Sequence, residues 1–305
     1  MSLPPTGEQF VLRSGSAEAT VVEAGGGLRT YRCGDRDVVD GYAVGERAAN
    51  ARGHVLAPWP NRLADGCWTW EGEEHRTPVT EPESGTAIHG LVRFVAWRPV
   101  ARAGDAVELE HLLHPQPGYP FTLRLRVRYE LDAGGLRVTT TASNAGDRPL
   151  PYGEGHHPYL ASAAGLRVDD CTLTAPGAVR LRADDRGLPT GREPVRGTPF
   201  DLRGGRRLGD LVLDSCFTDL ARGSDGLARV RFTRPDGTGA EVWLDEGYPY
   251  LQLFTGDIVP EPRRRRGLAV EPMTCPPDAL RTGEGVRRLA PGESTTSTWG
   301  IRPLG

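Results

Sequence analysis

The 305-residue sequence predicts an all-β protein, a large antiparallel β-sandwich folded as one domain over 1–305. Three observations lead there. Between Phe121 and Leu131, apolar Phe121, Leu123, Leu125, Val127, Tyr129 and Leu131 alternate with Thr122, Arg124, Arg126, Arg128 and Glu130. A period of two gives a sheet one dry face and one wet face. The 40 glycines and 26 prolines are spread along the chain, which suits many short elements joined by turns. Helical periodicity is nearly absent, and neither a fixed repeat nor a composition shift marks a domain boundary.

Individual elements follow from the same signals. After the alternating strand, Asp132-Ala133-Gly134-Gly135 reads as a hairpin turn, and the chain resumes over 136–142 with a Thr-Thr-Thr run. Segments 227–232 and 240–244 flank Pro235-Asp236-Gly237 and form a second hairpin, because Asp and Gly accept the turn's backbone angles. Segments 250–255 and 268–270 read as buried strands, the latter carrying Glu271 before a proline that ends it. One helical turn is expected over 277–281.

Composition excludes several classes of function. The formal net charge is −3, with neither half strongly basic, so no nucleic-acid surface is indicated. All 37 basic residues are arginine, which removes Schiff-base and Walker-type lysine chemistry. Cys33, Cys67, Cys171, Cys216 and Cys275 are scattered without a C-x-x-C pair, suiting reduced thiols rather than disulfides or a zinc cluster. Met1-Ser2-Leu3-Pro4-Pro5 is not a secretory signal, and no apolar stretch reaches membrane-spanning length. The expectation is a soluble, cytoplasmic protein with no nucleic-acid or membrane partner.

The chemistry is concentrated in a few loops. Gly153-Glu154-Gly155-His156-His157-Pro158-Tyr159-Leu160 carries imidazoles in a glycine-bounded loop, and Val270-Glu271-Pro272-Met273 carries a carboxylate. A histidine and a carboxylate brought to one cleft can give and take a proton on one substrate. Pro58-Trp59-Pro60-Asn61-Arg62 presents an arginine from a rigid turn, whose bland partner is Asp65. Ala87-Ile88-His89-Gly90 presents a histidine, and Leu213-Asp214-Ser215-Cys216-Phe217 a carboxylate beside a ring. Hydrogen-bonding groups with nearby rings suit a polyhydroxylated ligand. Arg263-Arg264-Arg265-Arg266 reads as a solvated loop, or as a clamp for an anionic substituent. A metal site built from His89, His156, His157 and Glu271 is disfavoured. Adjacent histidines on a strand point to opposite faces, and no H-x-H or H-E-x-x-H spacing occurs.

These motifs, taken in order from Phe10-Val11-Leu12 and Gly25-Gly26-Gly27-Leu28 to Glu271-Pro272-Met273, resemble the aldose 1-epimerase (galactose mutarotase-like) family nearly end to end. The wording Ala87-Ile88-His89-Gly90-Leu91-Val92-Arg93 is most similar to the bacterial branch that includes sulfoquinovose mutarotase-like proteins. The resemblance implies a β-sandwich of the mutarotase type and interconversion of the α and β anomers of a free aldose. It implies His157 as general acid, Glu271 as general base, and Arg62, His89 and Asp214 as residues that hold the sugar. His156 then falls in a supporting position, Trp59 and Tyr159 belong to the core and wall, and Leu160 stands where an aromatic is common.

The reaction transfers one proton off the anomeric hydroxyl and one onto the ring oxygen, which implies no cofactor and no metal. Ordinary pKa values of roughly 4.3 for Glu and roughly 6.5 for His favour an ionised Glu271 beside a partly protonated His157. A neighbouring Asp214 would then favour the imidazolium. Two alternatives stay open: a non-catalytic sugar-binding or regulatory protein on the same scaffold, and a hexose-6-phosphate 1-epimerase using Arg93 or the Arg263-Arg264-Arg265-Arg266 run.

Overall fold

In the computed structural model, which describes residues 3–305, the predicted alternation becomes the strand Leu123–Asp132. Its residues Leu123, Leu125, Val127, Tyr129 and Leu131 are buried, while Arg124 and Arg126 face solvent. Burying a side chain of the Leu or Val class contributes about 1.5–3 kcal/mol, so the face of the strand is set by sequence parity. Asp132 pairs with Gly135 across the predicted turn into Gly135–Asn144. Ala228–Thr233 pairs with Gly239–Leu244 around the second predicted turn. Met1 and Ser2, read above with the N-terminus, lie outside the described residues.

Two large antiparallel sheets dominate the fold. A nine-stranded sheet runs, in spatial order, Arg98–Arg102, Ala106–Leu113, Leu123–Asp132, Gly135–Asn144, Ser294–Leu304, Gly239–Leu244, Ala228–Thr233, Thr172–Thr174, Arg206–Arg207. An eight-stranded sheet runs Pro189–Pro194, Gly177–Ala183, Asp214–Leu220, Tyr250–Phe254, Gly267–Met273, Gly155–His156, Val55–Leu56, with Tyr159–Ala161 also paired to Gly267–Met273. Leu125 and Val127 of the first sheet share one apolar core with Phe217, Leu251, Leu253, Leu268 and Val270 of the second, a face-to-face sandwich. A four-stranded sheet, Gln9–Ser14 to Arg36–Asp37, lies at the N-terminal end of the chain. Among the described residues, helix is confined to the 3-10 turn Val168–Asp170 and the single predicted turn Ala279–Thr282. None is long and apolar enough to cross a membrane.

One boundary differs from expectation. Pro272 does not end its strand, which runs Gly267–Met273. The N–H groups of Val270 and Thr274 donate to the carbonyls of Pro158 and Glu154 on the neighbouring edge. By alternation, the donor that Pro272 lacks would fall between them, where the edge is broken at His157 and Pro158. A proline at a gap in the ladder costs no hydrogen bond.

The same parity positions the site. Leu268 and Val270 face the inter-sheet core, so Glu271 projects from the outer face of the eight-stranded sheet. His156 and His157 likewise part. His156 Nε2 lies 2.9 Å from Thr140 Oγ1 of the opposite sheet and its ring 5.1 Å from that of Trp299. His157 turns outward.

Candidate active site

A cavity of about 140 Å³ opens on the outer face of the eight-stranded sheet, lined by Arg62, His89, His157, Asp214 and Glu271. All five residues singled out in the sequence therefore meet in one place. Asn50, Ala51, Asn61, Glu81, Ile88, Arg93, Tyr159, Phe254 and Ile258 complete the wall.

His157 Nε2 lies 3.3 Å from Glu271 Oε1, and both side chains are almost fully buried. The break between Gly155–His156 and Tyr159–Ala161 frees His157 from the ladder on the side of Glu271. Its backbone is held instead by residues 53 and 54: Gly53 N–H donates to the His157 carbonyl at 2.8 Å, and His157 N–H to the His54 carbonyl at 3.2 Å. Glu271 Oε2 and His157 Nδ1 are buried with no protein partner.

Burial governs the charge of this pair. It pushes the His157 imidazole down to about 3, helped by Arg52. It pushes the Glu271 carboxyl well up, helped by Asp214 and opposed by Arg62. The expectation of an ionised Glu271 beside a partly protonated His157, set by ordinary pKa values, is thus corrected by burial. Desolvation favours one proton on the pair as a whole, held without net charge. Asp214 is corrected too, since its charge bears on Glu271 and Arg62 rather than favouring an imidazolium at His157.

Arg62 and His89 are set side by side. Arg62–Ala64 pairs with Thr86–Ile88, placing Arg62 opposite Ile88. His89 N–H donates to the Asn61 carbonyl at 2.9 Å, and Asn61 N–H donates to His89 Nδ1 at 3.1 Å. That second bond makes Nδ1 an acceptor, so the proton of the neutral ring sits on Nε2 as a donor for the cavity. Burial, with the charges of His157, Arg93 and Arg62, holds the His89 pKa well below its ordinary value, which keeps the ring neutral. Gly90 at φ 66° carries the chain away from His89, and a Cβ there would stand 2.0 Å from the Ala57 carbonyl oxygen. Gly90→Ala is expected to cost more than about 1 kcal/mol of stability, measured by urea unfolding.

Arg62 donates from Nε to Glu81 Oε2 at 2.8 Å, and its Nη1 stands 3.7 Å from Asp214 Oδ2. Asp65, its expected bland partner, pairs with Arg186 instead. Asp214 Oδ1 accepts from Gln252 Nε2 at 2.6 Å, and Gln252 is paired across strands with Glu271. The Arg263-Arg264-Arg265-Arg266 run does not line the cavity. Arg265 is buried rather than solvated, bonded to Asp169 and Asp257, and Arg263 bonds Glu46. Among the described residues no group of three or more His, Cys, Asp and Glu has metal-holding geometry.

The family model for aldose 1-epimerase matches residues 8–302. The chain belongs to the aldose 1-epimerase family. It is accordingly an isomerase with a mutarotase-type function. An uncharacterized Escherichia coli protein, YihR, is 32% identical over 289 residues, covering 94% of this chain and 91% of its own. Human galactose mutarotase is 28% identical over 288 residues, covering 88% of this chain and 82% of its own. Among solved structures, a putative aldose 1-epimerase from Escherichia coli superposes with a TM-score of 0.83 at 22% identity, over 97% of this chain and 98% of that one. A Caenorhabditis elegans homologue gives 0.85 at 18%, with the same coverage. These last two show the sandwich fold.

Three further contributors to the site carry no motif signal in the sequence. Asn61 sets the tautomer of His89 through its backbone, a role no side-chain pattern reveals. Glu81 orients Arg62 from a loop 19 residues away. Arg52 packs against the Tyr159 ring, from a segment that carries none of the motifs above.

Proposed function

We propose that the protein interconverts the α and β anomers of a free aldose, with His157 as acid toward the ring oxygen and Glu271 as base toward the anomeric hydroxyl. The observation that carries this reading is the 3.3 Å approach of His157 Nε2 and Glu271 Oε1 in a cavity lined by Arg62, His89 and Asp214. The anomeric and ring oxygens are both bonded to C1, a spacing that two side-chain atoms so close together can serve at once.

In the forward step Glu271 takes the hydroxyl proton, and the electron pair left by the O1–H bond becomes the second C1–O1 bond of the carbonyl. The C1–O5 bond breaks, and O5 takes the proton of the His157 imidazolium. Rotation about C1–C2 and reversal of both transfers give the other anomer. The pair carries one proton more than a carboxylate plus a neutral imidazole at the start, and Glu271 holds that proton in the open-chain state. That state is the uncharged arrangement burial favours, so the cavity supports the intermediate rather than the separated charges. Arg62, Asp214 and the His89 Nε2–H are suited to hold the hydroxyls. Five unpaired cysteines suit a reducing compartment, and we place the protein in the cytoplasm as one catalytic unit.

A second reading, a sugar bearing a phosphate or sulfonate, is favoured by Arg93. Its Nη2 donates only to the Ile88 carbonyl at 2.9 Å, its Nε is buried without a partner, and it makes no ion pair with a described carboxylate. An unneutralised guanidinium in a cavity wall suits a tetrahedral oxyanion. Anomer exchange by NMR on neutral, 6-phosphorylated and 6-sulfonated hexoses separates the two. If the anionic sugar is the substrate, Arg93→Met lowers the anionic-to-neutral ratio of kcat/KM by about tenfold or more. An unchanged ratio leaves the neutral aldose.

A further inference from the structure

The wall behind His157 is built as a stack. The His157 and Tyr159 rings are 5.0 Å apart between centroids, with planes 15° apart. Arg52 Cζ stands 4.0 Å from the centroid of the same Tyr159 ring. Arg52 is 3% exposed and is aimed by Asp40, its Nε donating to the Asp40 carbonyl and its Nη2 to Asp40 Oδ2, each at 2.7 Å. The backbone closes the unit: Asp40 N–H donates to the Tyr159 carbonyl at 2.8 Å, and the Tyr159 hydroxyl to the Asn50 carbonyl at 3.2 Å. Together with the bonds from residues 53 and 54 already described, segments 40 and 50–54 form a cradle for the chain from His157 to Tyr159.

A guanidinium buried this deeply carries a desolvation cost that an ion pair with Asp40 alone does not require, since the pair could stand at the surface. Its third nitrogen, Nη1, is buried with no partner. What burial achieves here is a permanent cation fixed against the ring that stacks on His157.

Resting on the reading of His157 as the acid, we propose that Arg52 is a positioning residue for ring opening: it fixes the plane of the His157 imidazole through Tyr159 and makes the imidazolium formed in turnover a stronger acid. Arg52 does not line the cavity. The other ionisable groups facing His157 are Glu271, His89, His54 and Arg93. Burial holds His89 and His54 neutral, and Glu271 exchanges the working proton. Arg93 is a second permanent cation in the wall, without the stacked connection.

The sign of the effect follows. The pair works when it holds one proton. A neighbouring cation opposes a second proton, which lowers the acid limb of the kcat profile. It also favours loss of the only proton, which lowers the alkaline limb. Removing the cation therefore moves both limbs to higher pH. Because Arg52→Met would leave Asp40 only the 3.8 Å approach of Arg263 Nη1, the main variant is Arg52→Met with Asp40→Asn, compared with Arg52→Lys, and thermal unfolding checks each fold.

Anomer exchange across pH is expected to show kcat of the double variant about tenfold lower, the equivalent of one pKa unit, with KM within about twofold and both limbs raised. Arg52→Lys keeps the charge and loses the planar stacking, so kcat falls while the limbs stay. A folded double variant with wild-type kcat and unmoved limbs overturns the proposal. If the double variant does not fold, unchanged kcat in Arg52→Lys overturns it. A wild-type protein inactive on every sugar removes the reading of His157 itself, whereas an active wild type with unmoved variants removes only Arg52.

Discussion

Glu271→Gln is expected to lower kcat by about 10²- to 10⁴-fold, the usual contribution of a positioned proton-transfer group, while KM stays within a few-fold. Glutamine has the shape and hydrogen-bonding reach of the carboxyl, so the approach to His157 and the contacts to the hydroxyls persist, but it cannot take the anomeric proton. The site around it is prepared for this single task. The carboxyl is buried, its Oε2 has no protein partner, and burial with the charge of Asp214 raises its pKa. A raised pKa makes the ionised form the stronger base when the sugar's hydroxyl supplies the proton. Steady-state anomer exchange decides, and unchanged turnover would remove Glu271 from the reaction.

His157→Asn is expected to lose kcat to a similar degree, again with little change in KM. Asparagine occupies part of the imidazole's volume but has no proton to give at any accessible pH. His156→Asn is the control, because His156 faces Thr140 and Trp299 between the sheets. It should lower the unfolding temperature and leave kcat near the wild-type value. Greater loss of turnover at His156 than at His157 would move the acid by one residue. The wild-type profile carries its own expectation. With the imidazole of His157 pushed down and the carboxyl of Glu271 pushed up, kcat should lack the inflection that a free imidazole gives near its ordinary pKa of roughly 6.5.

Much of this architecture is legible in the sequence because strands record burial with a period of two. Both hairpin turns lie where residue chemistry puts them, the alternation read from Phe121 becomes a strand from Leu123, and the helical turn read over 277–281 forms at Ala279–Thr282. The five candidate residues stand in ordered short motifs, and they line one cavity. What residues alone could not convey was context. Ordinary pKa values describe groups in water, whereas His157 and Glu271 are buried, and desolvation reverses their charges. Pro272 looked like a strand end because the gap opposite it belongs to another segment, at His157 and Pro158. The partners of Arg62 and Arg265, and the stack of Arg52 on Tyr159, join residues far apart in the chain.

The most direct test is polarimetry on freshly dissolved α-galactose and α-glucose, extended by NMR anomer exchange to 6-phosphorylated and 6-sulfonated hexoses. The account predicts that wild-type protein speeds the approach to an unchanged final rotation on at least one of these sugars, and that Glu271→Gln abolishes the acceleration. A wild-type protein that accelerates none of them, or a Glu271→Gln variant as fast as wild type, would contradict it.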